Sequence, residues 1–215
     1  SADDAVHCID ADSGKEKWQF TTNGPIRIAP TYQNGNLFFG SDDGFVYCID
    51  SRNGKLKWKF SPSPKDYQKV LNNGRLISFW PIRTGVLIED GIAYFGASML
   101  PWKKSFVCAI NIETGKPDAA GTYIQEYNDM NMTLEGSMAS TGSMLIQPQG
   151  RISPAFIDKN TGQKKGQLAG TGGCFVLVTP DQNIVHGHES KFKSLVESPI
   201  EKQPEFMTFK DGKEM

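Results

Sequence analysis

The first twenty residues of this chain reappear, without a gap, forty residues further on. Residues 41–60 repeat 1–20 at Ser1, Asp3, Val6, Cys8, Ile9, Asp10, Gly14, Lys15, Lys17, Trp18 and Phe20. Weaker copies begin at Ser105 (SFVCAINIETGKPDAAG) and Ile152 (ISPAFIDKNTGQKKGQL). Their turn glycines are Gly14, Gly54, Gly115 and Gly162, spaced by 40, 61 and 47 residues. A period near forty with several strands per unit is the mark of a propeller, because each unit buries its faces only against its neighbours.

Each copy reads as strand, tight turn, strand. FVYCID at 45–50 is apolar and rich in β-branched and aromatic residues, which fits a half-buried strand. Asp10, Asp50 and Asp158 each stand four residues before a glycine, and Asn111 takes that place in the third copy. An Asp or Asn there accepts from backbone N–H groups round the turn, while glycine supplies positive φ without a clashing Cβ. Trp18 and Trp58 follow four residues after the glycine, and Ala119 and Gly166 fill that position in the later copies. A tryptophan buries a large area and keeps one N–H to donate, so it suits a wedge between blades.

These residues resemble the pyrroloquinoline-quinone-type propeller repeat, roughly hydrophobic-Ala-hydrophobic-Asp-x-x-Thr-Gly-x-x-x-Trp. Cys8, Cys48, Ala109 and Phe156 occupy its Ala position. The family includes the quinoprotein dehydrogenases and the propeller lipoprotein of outer-membrane assembly. ISFWPIRTGVLIEDGIAYFGA, GTGGC and HGHE look similar to large propeller proteins of planctomycete-type bacteria. The resemblance implies an all-β propeller of four-stranded antiparallel blades, here about four to five of them, and an extracytoplasmic setting, periplasmic or at the cell surface. It is specific for architecture and weak for activity, because function resides in sites rather than folds.

The expected blades follow the repeat. Residues 1–20 supply a partial blade, 21–60 a whole one, 80–123 and 124–170 two more, and 171–215 a further partial one. Residues 61–79 form an insertion, with Pro62 and Pro64 excluding a central strand and Asp66 to Leu71 expected as a helical turn. Two closures compete. The ring either closes on this chain by sharing a blade between 174–188 and 5–20, or continues in a longer chain, family rings having about eight blades. Residues 205–210 would duplicate the strand that 5–10 supplies to a shared blade. We therefore expect part of a longer propeller.

Charge narrows the partners. With 23 Lys and Arg against 24 Asp and Glu, the formal net charge is −1, which gives no case for nucleic acid. No apolar run approaches the ~18 residues of a membrane span. The four cysteines make no Cys-x-x-Cys, and Cys8 and Cys48 are expected as small buried hydrophobes.

Candidate sites are few. Trp102 beside Lys103 and Lys104 in a long loop suits a ring-shaped ligand or a protein anchor, and Arg151 is a candidate funnel-facing charge. His186 and His188 share one strand face and form the most metal-like pair, with Glu189 as a nearby carboxylate. Met130, Met132 and Met138 lack the histidines a copper site wants and read as gap-fillers. The expected function is a non-catalytic binding or scaffold module without a cofactor, holding a protein partner or small ligand on the propeller face. One alternative is part of a quinoprotein dehydrogenase binding pyrroloquinoline quinone and Ca²⁺, with Trp80, Arg83 and Asp90 as its available residues. A second is a glycan-binding accessory domain using Trp102 and Tyr127.

Overall fold

The computed structural model describes residues 3–63, 68–100, 102–128, 132–168, 172–180 and 183–186, and the backbone alone of 205–210 and 213–214. Among them are strands and turns and no helix. Strands β1 (Ala5–Ile9) and β2 (Glu16–Thr21) form a two-stranded sheet, and β3 (Thr31–Gln33), β4 (Asn36–Gly40), β5 (Val46–Asp50) and β6 (Leu56–Phe60) make the first complete blade. A third sheet holds β9 (Leu87–Glu89), β10 (Ile92–Ala97), β11 (Ser105–Asn111) and β12 (Tyr123–Tyr127). A fourth holds β13 (Ala139–Ser140), β14 (Met144–Gln149), β15 (Ile152–Asp158) and β16 (Lys164–Gln167). The last four strands, β17 (Val176–Val178), β18 (Asn183–His186), β19 (Glu205–Lys210) and β20 (Lys213–Glu214), make a sheet of their own. They do not pair with β1 and β2, so no blade is shared between the two ends among the described residues.

All ladders between named strands are antiparallel, each sheet running from its inner to its outer strand in chain order. The second-to-third-strand turn and the connector to the next blade therefore share one end of each sheet. The turns carrying Gly14, Gly54, Gly115 and Gly162 lie at the other end.

The blades stack face to face, and this changes the reading of the repeat strand. All five residues of β5 are buried, so it is covered on both faces rather than one. Tyr47 and Ile49 pack with Val6, Trp18 and Phe20 of the first sheet. Val46 and Cys48, one step out of phase, pack with Phe95, Phe106 and Cys108 of the third. The same alternation joins Tyr94, Val107 and Ala109 to Leu145, Ala155 and Ile157, and then Ile146 and Phe156 to Val176 and Ile184. At about 1.5–3 kcal/mol for each fully buried large aliphatic or aromatic side chain, these interfaces outweigh any single polar contact.

The tryptophans tie neighbouring blades together. The Trp18 indole donates to the Ser51 carbonyl at 3.1 Å, and the Trp58 indole to the Ile112 carbonyl at 2.8 Å. In the third copy the residue facing the Ala position is Tyr123, opposite Ala109, where Cys8 faces Trp18 and Cys48 faces Trp58. Ala119 lies in the lengthened turn instead, so the gapless alignment misplaced this position. The third blade accordingly runs to Tyr127, beyond the expected boundary at 123.

The insertion holds a hairpin, β7 (Lys69–Asn72) and β8 (Arg75–Ser78). Lys69 to Leu71, expected in a helical turn, are strand. Asn73 and Gly74 adopt positive φ of 50° and 77°, the backbone of a two-residue hairpin turn, which sets the extended pairing of Val70 with Ile77.

Candidate functional site

The connectors gather on the turn between β4 and β5. Asp42 N–H donates to the Pro25 carbonyl at 2.8 Å, Ser78 N–H to the Asp42 carbonyl at 2.8 Å, and Ile82 N–H to the Ser41 carbonyl at 3.1 Å. Two inter-blade connectors are thereby fixed to one turn. The Asp42 side chain is fully buried. Its carboxylate accepts from Arg27 Nε at 2.8 Å and pairs with Arg27 Nη2 at 2.7 Å, while Arg83 Nε and Nη2 each donate at 3.0 Å. A buried carboxylate is tolerated only when paired and hydrogen-bonded, and here four charge-assisted contacts meet that condition.

The node is polar on its outer side. The Arg27 side chain is 42% exposed and that of Arg83 16%. Asp42 and then Glu135 hold the Arg27 guanidinium above its usual pKa. Glu135 is exposed and lies before β13; the next residue, Gly136, donates its N–H to the Arg83 carbonyl at 3.0 Å. Asp43 is engaged by the Tyr47 hydroxyl at 2.6 Å and the Asn23 N–H at 3.1 Å.

A cavity of about 320 Å³ is lined by Ile28, Ala29, Thr31, Gly85, Val86, Leu87, Ile88, Ser137 and Met138. Inner strands β3 and β9 are only three residues long. Thr31 of β3 and Leu87 and Ile88 of β9 line the cavity together with the chain just before each strand.

The sequence candidates fall as follows. Arg83 is part of the Asp42 node. Trp80 is 7% exposed, donates its indole N–H to the Lys104 carbonyl at 2.9 Å and meets Phe79 and Phe106 edge to face. Asp90 is in the turn between β9 and β10, at the opposite end of the blade. Trp80 thus lies inside the blade interface, and Asp90 stands at the other end of the blade from Arg83. Trp102 is 60% exposed in the loop between β10 and β11, and Lys103 Nζ stands 5.8 Å from the Phe79 ring centroid. Arg151 is exposed in the turn between β14 and β15. These loops and the Asp42 node share the connector end. His186 ends β18, its side chain outside the described residues, as is the whole of His188. Among the described residues, no three His, Cys, Asp or Glu side chains are grouped to hold a metal ion.

The repeat residues serve their turns. Asp10 Oδ1 accepts from the N–H of Ser13 at 2.9 Å, and Asp158 Oδ1 from that of Thr161 at 2.9 Å. Asp50 accepts from the Arg52 N–H, and Asn111 from that of Glu113. Sequence reasoning missed Arg27, Asp42 and Glu135. Asp42-Asp43-Gly44 carries a turn signal, and nothing local marks its first carboxylate as the buried one.

Residues 1–133 match the family model described as "Outer membrane protein assembly factor BamB". The chain belongs to this propeller-repeat family. No curated protein matches its sequence. Among solved structures, the computationally designed Ika8 protein is similar over 87% of this chain and 50% of its own, at 16% identity and a TM-score of 0.59. A europium-containing methanol dehydrogenase is similar over 85% of this chain and 43% of its own, at 13% identity and a TM-score of 0.58. The quinohemoprotein alcohol dehydrogenase from Comamonas testosteroni matches over 85% and 37%, at 15% identity and a TM-score of 0.57. The chain spans half or less of the length of these structures. At such identities the likeness shows the fold alone: an all-β partial propeller of BamB-like repeats. No helix of the described residues is long and apolar enough to cross a membrane.

Proposed function

We propose that this propeller is a non-catalytic binding module, periplasmic or at the cell surface, whose connector face holds a protein partner or small ligand without a resident cofactor. The observation that carries this reading is the Asp42 node. The fully buried Asp42 carboxylate of the connector face is bound by two guanidiniums, and so is held as their anchor rather than free as a base. Trp102, Lys103 and Arg151 then stand outward on the same face, a combination that suits an aromatic and cationic anchor for a partner.

Two measurements test it. A photo-cross-linking residue at position 102 is expected to capture a defined partner in cells, and the same residue at position 113, on the opposite face, to capture none. Equal labelling from both positions overturns the assignment of the face. Titration with pyrroloquinoline quinone and Ca²⁺, followed by tryptophan quenching and dye-linked alcohol oxidation, is expected to give neither saturation nor turnover. Saturable binding with turnover would replace this reading with the dehydrogenase alternative.

A further inference from the structure

The forty-residue repeat sets Asp3, His7 and Glu16 against Asp43, Tyr47 and Leu56 of the second copy. In the second copy the Tyr47 hydroxyl donates to Asp43 Oδ2 at 2.6 Å. In the first, His7 Nε2 meets Asp3 Oδ2 at 2.7 Å in the same relation. Glu16 stands where the second copy has a leucine, and its Oε2 meets His7 Nδ1 at 2.6 Å. The first copy thus replaces a tyrosine that stays neutral at physiological pH with a group that titrates there, and adds a second carboxylate.

The geometry sets the protonation state. A neutral imidazole has one N–H and one bare nitrogen, whereas the imidazolium donates from both. A carboxylate only accepts, so carboxylates on both ring nitrogens are satisfied together by the imidazolium alone. Loss of one proton turns a carboxylate oxygen against a nitrogen lone pair, and one contact must break. Glu16 and then Asp3 hold the imidazole above its ordinary pKa, and His7 holds Asp3 below its own. All three side chains are partly exposed, so solvent supplies and removes the proton.

Three pieces of chain meet at His7: the lead-in residues Asp3 and Asp4, strand β1 and strand β2. Asp4 has a φ of 60°, a left-handed conformation uncommon outside glycine. Its carbonyl accepts from the Thr22 N–H at 2.9 Å and the Thr22 hydroxyl at 3.0 Å, and its carboxylate accepts from Arg75 of the β7–β8 hairpin. The remaining charges of these elements are Lys17, paired with Asp10 at 2.6 Å, and Asp12 and Lys15 in the β1–β2 turn. The opposite face of the sheet, with Val6, Trp18 and Phe20, meets the uncharged Tyr47 and Ile49.

We propose that Asp3, His7 and Glu16 form a proton-operated clasp, which holds the lead-in residues to the β1–β2 sheet while the imidazole carries both protons and releases them when one is lost. The sign follows from linkage. A raised folded pKa stabilises fully below the unfolded value, and the stabilisation is lost as pH rises through the folded midpoint.

Nitrogen NMR of the imidazole rings tests the clasp on the intact chain, the His7 signals being those missing from His7→Tyr. Both ring nitrogens of His7 are expected to be protonated below a midpoint that lies above 6.5, and Glu16→Gln and Asp3→Asn are each expected to lower it. Hydrogen exchange at the Thr22 amide, corrected for intrinsic rates, follows the lead-in residues. Its protection is expected to fall about threefold as pH rises through that midpoint, the scale of an exposed ion pair. His7→Tyr restores the pairing of the second copy and is expected to keep Thr22 protected with no step. A His7 midpoint at or below 6.5, level Thr22 protection across the midpoint, or a step that persists in His7→Tyr would each overturn the inference.

Discussion

Tyr123 lies against Gly162, the turn glycine of the next blade. A Cβ on Gly162 would collide with the edge of the Tyr123 ring, just as one on Gly115 would stand 2.5 Å from the Trp58 ring and one on Gly54 2.7 Å from Trp18. An aromatic ring on each of the outer strands β2, β6 and β12 thus seats on the bare backbone of the following turn. The Tyr127 hydroxyl then donates to the Gly162 carbonyl, doing for the third blade what an indole N–H does for the first two.

Truncating one of these rings is expected to loosen two blades at once. For Trp58→Ala we expect a loss of about 3 kcal/mol, the low end of the ~3–5 typical of a buried aromatic, since Trp58 is half-buried. Trp58→Phe should lose about 1 kcal/mol with the indole hydrogen bond. Gly115→Ala meets both the ring and a φ of +67°, and is expected to be at least as costly as Trp58→Phe. Urea unfolding of the three variants checks the order.

Asp42→Ala removes the shared anion of two arginines. Breaking a buried pair costs about 3–5 kcal/mol, and the partial exposure of Arg27 moves the expected loss toward the lower figure. Asp42→Asn keeps the shape and is expected to recover only part of it. A double-mutant cycle with Arg83→Met measures the coupling, and additive losses would contradict the node.

The turn carboxylates give a pH dependence of known sign. Lys17, then Ser13, holds Asp10 down to about 2, and Arg52 holds Asp50 down to about 2, from an ordinary 3.8. A depressed folded pKa stabilises above the unfolded value, so this contribution is present above pH 3.8 and is lost as pH falls toward 2. Carboxyl NMR titration is expected to show both midpoints near 2. A midpoint near 3.8 for either would remove its turn from the account.

The thiols should separate by burial. Burial pushes Cys48 up to about 11 and Cys108 higher, while Cys174 is exposed. With iodoacetamide at neutral pH, mass spectrometry is expected to find Cys174 alkylated and Cys48 and Cys108 unmodified until denaturant is added.

The repeat by itself determined the architecture. Asp10, Gly14 and Trp18 and their counterparts at 50, 54 and 58 are local chemistry, a capped turn of positive φ followed by a wedge, and local chemistry is written in consecutive residues. What only the tertiary structure decided depends on partners far apart in sequence. Tyr123 takes the tryptophan's place because a lengthened turn carries Ala119 out of the ladder, and no spacing rule anticipates that. Cys48 and Tyr47 look alike as apolar neighbours, yet they serve two different interfaces because blades stack on both faces. Asp42 reads as one more turn acid until Arg27 and Arg83, brought from two connectors, meet on its carboxylate. The buried charge can exist only where the folded chain delivers both cations to it.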